Sequence, residues 1–269
     1  MSTLQGVYTA YKKNGTKYFR SSITYKNKHV SLGSYDSEAD AHKAYLEAAD
    51  LLSDNTLTIL AYSLTKNTLS FEKWIILVNF RDNHIYIKNP IYLHKKYFSY
   101  YLNINLELKF DIDDLFYYSS HKIMKRQGHL FVADYGMQVN ILSRYGIKNY
   151  GVVGKDYLFS NNDPTDYRYE NIIIINKYHG VEQIRKKNNT VYQAKIHING
   201  NFIAGYYNDE ITAAIAYNKA VDILKKAGLE KNYQTNYCSE ISSKEYADIY
   251  QQIKISKKIL NWRLEEPTV

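Results

Sequence analysis

Two stretches of this chain repeat one another, and an internal repeat constrains a fold more than any single motif does. Gly33-Ser34-Tyr35-Asp36-Ser37-Glu38 returns as Gly205-Tyr206-Tyr207-Asn208-Asp209-Glu210. The same spacing persists through Ala41/Ala213, Ala44/Ala216, Tyr45/Tyr217, Ala48/Ala220, Asp50/Asp222 and Leu52/Leu224. Upstream, Gly6-Val7 answers to Gly180-Val181, and Ile23-Thr24-Tyr25 to Ile196-His197-Ile198, with one-residue slips. In the first copy, period-two alternation over Lys17–Tyr25 and Lys28–Gly33 predicts two strands joined by the turn Tyr25-Lys26-Asn27-Lys28. Ser37 is placed to cap a helix over Glu38–Leu52, and Asp36, Glu38 and Asp40 suit its positive N-terminal end. The alanines of that helix let it lie close against a sheet. Each copy therefore predicts a βββα unit, a three-stranded antiparallel sheet with one helix, and the chain as a whole an α+β fold.

Charge gives the repeat a chemical meaning. The 269 residues carry 35 Lys+Arg against 27 Asp+Glu, a net charge of +8, which favours polyanionic partners. The excess is localised. Lys12, Lys13, Lys17, Arg20, Lys26 and Lys28 precede the first acid at Asp36, and the second copy has Arg185-Lys186-Lys187, then Lys195 and His197. With one sheet face packed on the helix, the other is expected to display these side chains. A sheet of that width can enter the major groove of double-stranded DNA.

Other features bound the answer. A hydrophobic content of 45% and charged content of 23% are those of a globular protein, and only 12 Gly and 3 Pro argue against long flexible linkers. The single cysteine, Cys238, cannot form an internal disulfide and points to a reducing compartment. No apolar run approaches the roughly 20 residues of a membrane span, and Met1–Tyr11 lacks a signal-peptide core, so a soluble cytoplasmic chain with no membrane partner is expected. The 29 tyrosines, with abundant Lys, Ile and Asn, match AT-rich codons and suggest a low-GC bacterium or its phage.

The order Gly-Val, basic turn, aromatic-x-Ala-x-Ile, Asn-Gly, Gly-Tyr-Tyr and Glu-x-x-Ala-Ala-x-Ala-Tyr-Asn-x-Ala resembles the APETALA2/ethylene-response-factor DNA-binding domain. The second copy carries it most fully, in Gly180-Val181, Tyr192, Ala194, Ile196, Gly205, Tyr207, Ala213-Ala214, Ala216-Tyr217-Asn218 and Ala220. The resemblance implies a sheet inserted in the major groove, with strand side chains reading bases. Carried over, the basic turn falls on Lys12 and Lys13, and on Arg185, Lys186 and Lys187. The strand-two reading position falls on Thr24 and His197, and the strand-three position on His29 and Asn201. Where the family has a strand-three tryptophan, this chain has Ser31 and Ile203.

Between the copies, Phe71–Lys177 is too long and apolar for a linker. Trp74–Phe80 and His84–Tyr92 read as strands, Tyr92–Leu102 as a short helix, and Asp111–Tyr118 as a turn or helix. Gly128–Ala133 and Met137–Tyr145 read as a strand pair about Tyr135-Gly136. Asp166-x-Arg168-x-Glu170-Asn171 before an apolar run resembles the back half of His-Asn-His (HNH) homing endonucleases, in which an APETALA2-like module often follows the nuclease. That family places a histidine general base where this chain has Phe159, and a His-Arg pair where it has Ser143-Arg144. Phenylalanine can neither take a proton nor bind metal, and serine is a poorer metal ligand than imidazole. The retained Arg144, Asp166, Arg168 and Asn171 are then expected as scaffold of a degenerate ββα core. His121 and His129 are the remaining histidines that could substitute, although their spacing does not fit. No phosphate loop, CxxC, HExxH or GxSxG occurs, and Asp111, Asp113 and Asp114 begin no EF-hand.

The expected organisation is an APETALA2-like module over residues 1–70, a degenerate HNH-like domain over 71–177, a second module over 178–240 and a helical tail over 241–269. Ser242–Leu264 reads as a helix with a cap at Ser242-Ser243-Lys244-Glu245, which either closes over the second module or mediates self-association. The resemblances together imply a sequence-specific DNA-binding transcriptional regulator of a phage or prophage, with no cofactor or catalytic centre and with RNA polymerase as a partner in activation. The alternative is an active HNH-type endonuclease with non-standard ligands.

Overall fold

A computed structural model describes residues 4–64, 66–186 and 189–263. The chain divides into two compact units: Met1–Ile141 with Asn161–Asn171, and Leu142–Ser160 with Ile172–Val269. It is an α+β structure of small antiparallel sheets and helices.

The first unit opens with β1 (Val7–Tyr11), β2 (Lys17–Tyr25) and β3 (Lys28–Tyr35), paired in that order. The β2–β3 turn places Lys26 at φ 44° and Asn27 at φ 62°. Left-handed backbone at both central residues is what a tight hairpin demands. Helix α1 (Glu38–Ser53) begins where Ser37 Oγ accepts from Asp40 N at 3.0 Å. Ala41, Ala44 and Ala48 are fully buried, so the helix lies close beneath the sheet. Gly6 is indispensable to that approach. Its φ is +75°, and a Cβ there would stand 2.0 Å from the Tyr45 ring.

Helix α2 (Phe71–Asn83) replaces the strand expected over Trp74–Phe80. The reason is physical: every residue from Trp74 to Arg81 is buried, so no helical stripe of polar residues marks the period. Arg81 donates from Nη1 to the carbonyls of Leu51, Asp54 and Leu57 at 2.8, 2.7 and 3.0 Å, closing the C-terminal end of α1. The strand expected over His84–Tyr92 is confined to its end, and the helix expected over Tyr92–Leu102 is instead a hairpin. Pro90 precedes β4 (Ile91–Leu93), which pairs with β5 (Tyr97–Asn103), itself paired with β6 (Leu106–Asp111). Phe98, Ser99 and Tyr100 are all buried, so β5 is covered on both faces and shows no alternation. A 3-10 turn and α3 (Leu115–Ser120) follow where a turn or helix was expected. Then come β7 (Ile123–Arg126), β8 (His129–Asp134) and β9 (Met137–Asn140). The β8–β9 hairpin turns at Tyr135-Gly136 as predicted, but Ile141–Tyr145 is a 3-10 turn rather than strand.

The second unit contains β10 (Tyr157–Phe159) paired with β11 (Ile172–Ile174). Next is the sheet β12 (Val181–Lys186), β13 (Asn189–His197) and β14 (Asn201–Tyr207), packed on α4 (Glu210–Lys226). It reproduces the βββα arrangement of the first unit in detail. A bulge falls between Ser21 and Ser22 in one copy and between Ala194 and Lys195 in the other. Just past each bulge a strand N–H returns to the opening glycine, Ser22 N to Gly6 O at 3.0 Å and Lys195 N to Gly180 O at 2.7 Å. A Cβ on Gly180, at φ +68°, would stand 2.1 Å from the Tyr217 ring. Asp209 caps α4 as Ser37 caps α1.

The tail forms α5 (Ser243–Gln252), with the capping box between Ser242 and Glu245, and α6 (Lys257–Leu260). It is not one continuous helix. Between α5 and α6 the chain runs along β14, and Lys219 of α4 donates to the carbonyls of Tyr250 and Ile253 at 2.6 and 2.9 Å, ending α5. Leu264 lies outside the described residues. Cys238 is buried, and burial pushes its thiol pKa up. Among the described residues no helix is long and apolar enough to cross a membrane.

Candidate nucleic-acid interface

Strand parity decides which side chains share a sheet face, because directly paired residues on antiparallel strands point the same way. In the first copy Tyr8, Arg20 and Ser34 form one cross-strand row, and Thr24 and His29 another. These lie on the face away from α1. The face that carries Val7, Phe19, Ile23 and Val30 is buried. Arg20 is at the middle of the outer face, with Nη2 2.8 Å from Tyr18 Oη and its guanidinium 5.6 Å from the Tyr18 ring centre. Tyr8, directly opposite Arg20, is 58% exposed. The outer face is therefore an arginine set between two tyrosines, with Ser34 opposite it and the Thr24–His29 pair further along the strands.

The lysines of this copy divide differently from the expectation. Lys12 and Lys13 are exposed in the β1–β2 connection. Lys17 shares the parity of Phe19 and lies 4.9 Å above its ring centre, on the helix side. Lys26 Nζ is 2.6 Å from His84 Nδ1, and Lys28 lies 5.0 Å above the Tyr86 ring. The structure thus gathers Arg20, Thr24 and His29 on one face and turns Lys17, Lys26 and Lys28 away from it.

In the second copy the equivalent rows are Glu182–Gln193–Tyr206, Lys195–Ile203 and His197–Asn201. His197 Nδ1 is 3.2 Å from Asn201 Oδ1, so the two reading positions inferred from the sequence meet as one polar pair. Gln193 Nε2 donates to Tyr206 Oη at 3.2 Å, and Lys186 Nζ stands 4.3 Å above the Tyr206 ring. Lys195 is not a free cation: it is paired tightly with Glu182, which Lys155 also approaches at 3.4 Å. The hydrogen bond from Lys195 holds the Glu182 carboxyl below its ordinary pKa. Arg185 is exposed at the end of β12 and pairs with Thr190, on the opposite parity from Lys186. Lys187 lies outside the described residues.

Sequence reasoning missed Tyr8, Tyr18, Gln193, Glu182 and Tyr206 as members of these faces. Parity was the available signal for two of them, since Tyr18 and Gln193 each stand two positions before a residue already singled out.

The HNH-like positions have definite environments. In the first unit, Asp166 is 1% exposed and accepts from Arg168 Nε and Nη2 at 2.8 and 2.6 Å and from Asn161 Nδ2 at 2.9 Å. Burial alone would raise its pKa, but the Arg168 hydrogen bonds outweigh that and hold the carboxyl below its usual range. Asn171 Nδ2 donates to Asp166 O at 2.8 Å, and Asn171 Oδ1 accepts from Asn161 N at 2.8 Å. Arg168 also meets Glu170 at 3.0 Å. This saturated loop is stitched to β6, where Lys109 N donates to Thr165 O and Tyr167 N to Lys109 O at 2.9 and 2.8 Å. In the second unit, Phe159 is a core residue of β10 opposite Ile172, and Ser143 and Arg144 lie in the 3-10 turn. His121 stacks on Tyr117 at 4.2 Å, with Nε2 3.5 Å from Asp134 Oδ1, and His129 is exposed at the start of β8. Among the described residues no three His, Cys, Asp or Glu side chains gather where one metal ion would reach them. No family model matches the chain, and no curated protein or solved structure is significantly similar to it.

Proposed function

We propose that this protein binds double-stranded DNA sequence-selectively through the outer faces of its two βββα sheets, and acts as a transcriptional regulator, an activator of phage or prophage genes. The observation that carries the reading is the repeated pairing of a buried, alanine-seated inner face with an exposed outer face rich in hydrogen-bonding side chains. On the first face, Arg20 has the fork that reads guanine O6 and N7, with Tyr8 and Tyr18 beside it and the Thr24–His29 pair four residues further along β2. On the second, Gln193 and Asn201 are amides of the kind that read adenine. Lys12, Lys13, Arg185 and Lys186 stand at strand ends, where phosphates flank a groove.

The stretch resembling HNH nucleases supports a scaffold role: Asp166 is fully engaged with Arg168 and Asn161, and Phe159 is packed in a core. RNA polymerase is the partner implied for an activator. The deciding experiment captures fragmented host genomic DNA on the purified chain and sequences what is retained. Enrichment of one motif, lost in Arg20→Ala, is the expected result. Absence of any enriched motif at every salt concentration, or plasmid nicking with Mg²⁺ that Asp166→Ala abolishes, overturns the reading.

A further inference from the structure

The tail of the second unit does more than cover the core. Leaving α5, the chain is pinned along the outer edge of β14. Tyr207 Oη donates to Lys254 O at 3.0 Å, Ser256 N donates to Ala204 O at 2.8 Å, and Ser256 Oγ donates to Ile203 O at 2.7 Å. Ile255 and Ile259 are buried in the core of that unit, which fixes the strap from below. Lys254 and Lys258 are left exposed. Lys258 Nζ lies 4.7 Å from the Phe202 ring centre. Strap and strand together wall an open cavity of about 510 Å³, whose lining includes Asn201, Tyr206, Lys254, Ser256 and Lys258 beside Ile203 and Ile255, and no carboxylate residue.

We propose that this notch is a phosphodiester-binding site: Lys254 and Lys258 hold the backbone of the DNA strand that borders the groove entered by β12–β14. The proposal rests on the DNA-binding reading above and adds to it a contact element outside both sheets. The chemistry is specific in one direction. Two cations with rotatable donors, beside an amide and a phenol on a rigid sheet edge, suit a tetrahedral oxyanion and repel a cation. Such contacts set register and affinity, whereas base edges set sequence preference. Asn201 belongs to both surfaces, so a phosphate held in the notch would fix the height at which the His197–Asn201 pair meets the bases. After the first copy the chain continues into α2 instead, so the strap belongs to the second copy.

The test is fluorescence anisotropy of the full chain with a labelled random-sequence duplex, across a salt series. Because about 0.9 counterions are released per neutralised phosphate, Lys254→Gln/Lys258→Gln should lower the salt slope by about 1 to 2. Affinity should fall by a common factor for the random duplex and the captured motif, leaving their ratio unchanged, and Lys254→Arg/Lys258→Arg should restore the slope. Circular dichroism and a urea midpoint matching wild type show that the variant chain is folded. If wild type binds and the glutamine variant keeps its slope, the notch proposal fails while the DNA-binding reading stands. If wild type binds no duplex even at the lowest salt, the reading itself fails.

Discussion

The two βββα units share their inner faces and differ in their outer ones. Beneath each sheet lie the same fully buried alanines, the same glycine–tyrosine contact and the same bulge. On the outside, the row Tyr8–Arg20–Ser34 corresponds to Glu182–Gln193–Tyr206, so that an arginine between a tyrosine and a serine in one copy stands where an amide beside a carboxylate stands in the other. The repeat in the sequence is thus a record of packing. The chemistry that could distinguish one binding site from another resides in the positions that do not repeat.

Attacking the shared face should have the largest effect. Gly6→Ala and Gly180→Ala each add a Cβ into a tyrosine ring at a left-handed backbone position, at a cost of about 2–5 kcal/mol. Urea unfolding followed by circular dichroism should show both variants destabilised alike, and a large difference between them would break the equivalence of the copies. Next in size is the divergent face. Arg20→Ala should reduce discrimination between captured and scrambled duplexes by about 1–3 kcal/mol, and Gln193→Ala should do so at different base positions. Loss at the same base positions in both would mean that the two faces are not independent readers.

The loop between the copies offers a control unconnected to either face. Asp166 is held by charge-assisted hydrogen bonds, so Asp166→Asn should cost about 1–2 kcal/mol at pH 7. Because its folded pKa is depressed, the stability it confers is full above the unfolded value near pH 4 and is lost as pH falls through the folded value. The gap in urea midpoint between wild type and Asp166→Asn should therefore shrink on acidification, with DNA preference unchanged at neutral pH. The smallest effect is expected at Glu182→Gln, which releases Lys195 and Lys155. It should raise affinity for any duplex a few-fold and steepen the salt slope by about 1, since about one more cation becomes free to neutralise phosphate. An unchanged slope would show that neither lysine reaches phosphate.

Legibility in the sequence followed physical visibility. The βββα units could be read because one face of each strand is wet, so the period survives, and because Ser37 and Ser242 are caps with a local mechanism. Helix α2 reads as strand in the sequence because burial on all sides erases its period. The fate of Lys195 depends on the β12–β13 register, which pairs Glu182 with Gln193 two residues from Lys195 on the same face, and register is not written in either strand alone. Charge alone places Lys26 and Lys28 on the outer face, whereas their neighbours His84 and Tyr86 come from a segment far along the chain. The break between α5 and α6 follows from tertiary bonds to Lys219 and β14, with no proline or glycine to announce it.

The glycine–tyrosine seat under each sheet has one last consequence. Because it anchors strand to helix without using any outward side chain, the outward residues of β12–β14 can be grafted onto β1–β3 at the matched rows while the hydrophobic interior stays untouched. A chimera made this way would carry the same outer face twice on two unchanged cores.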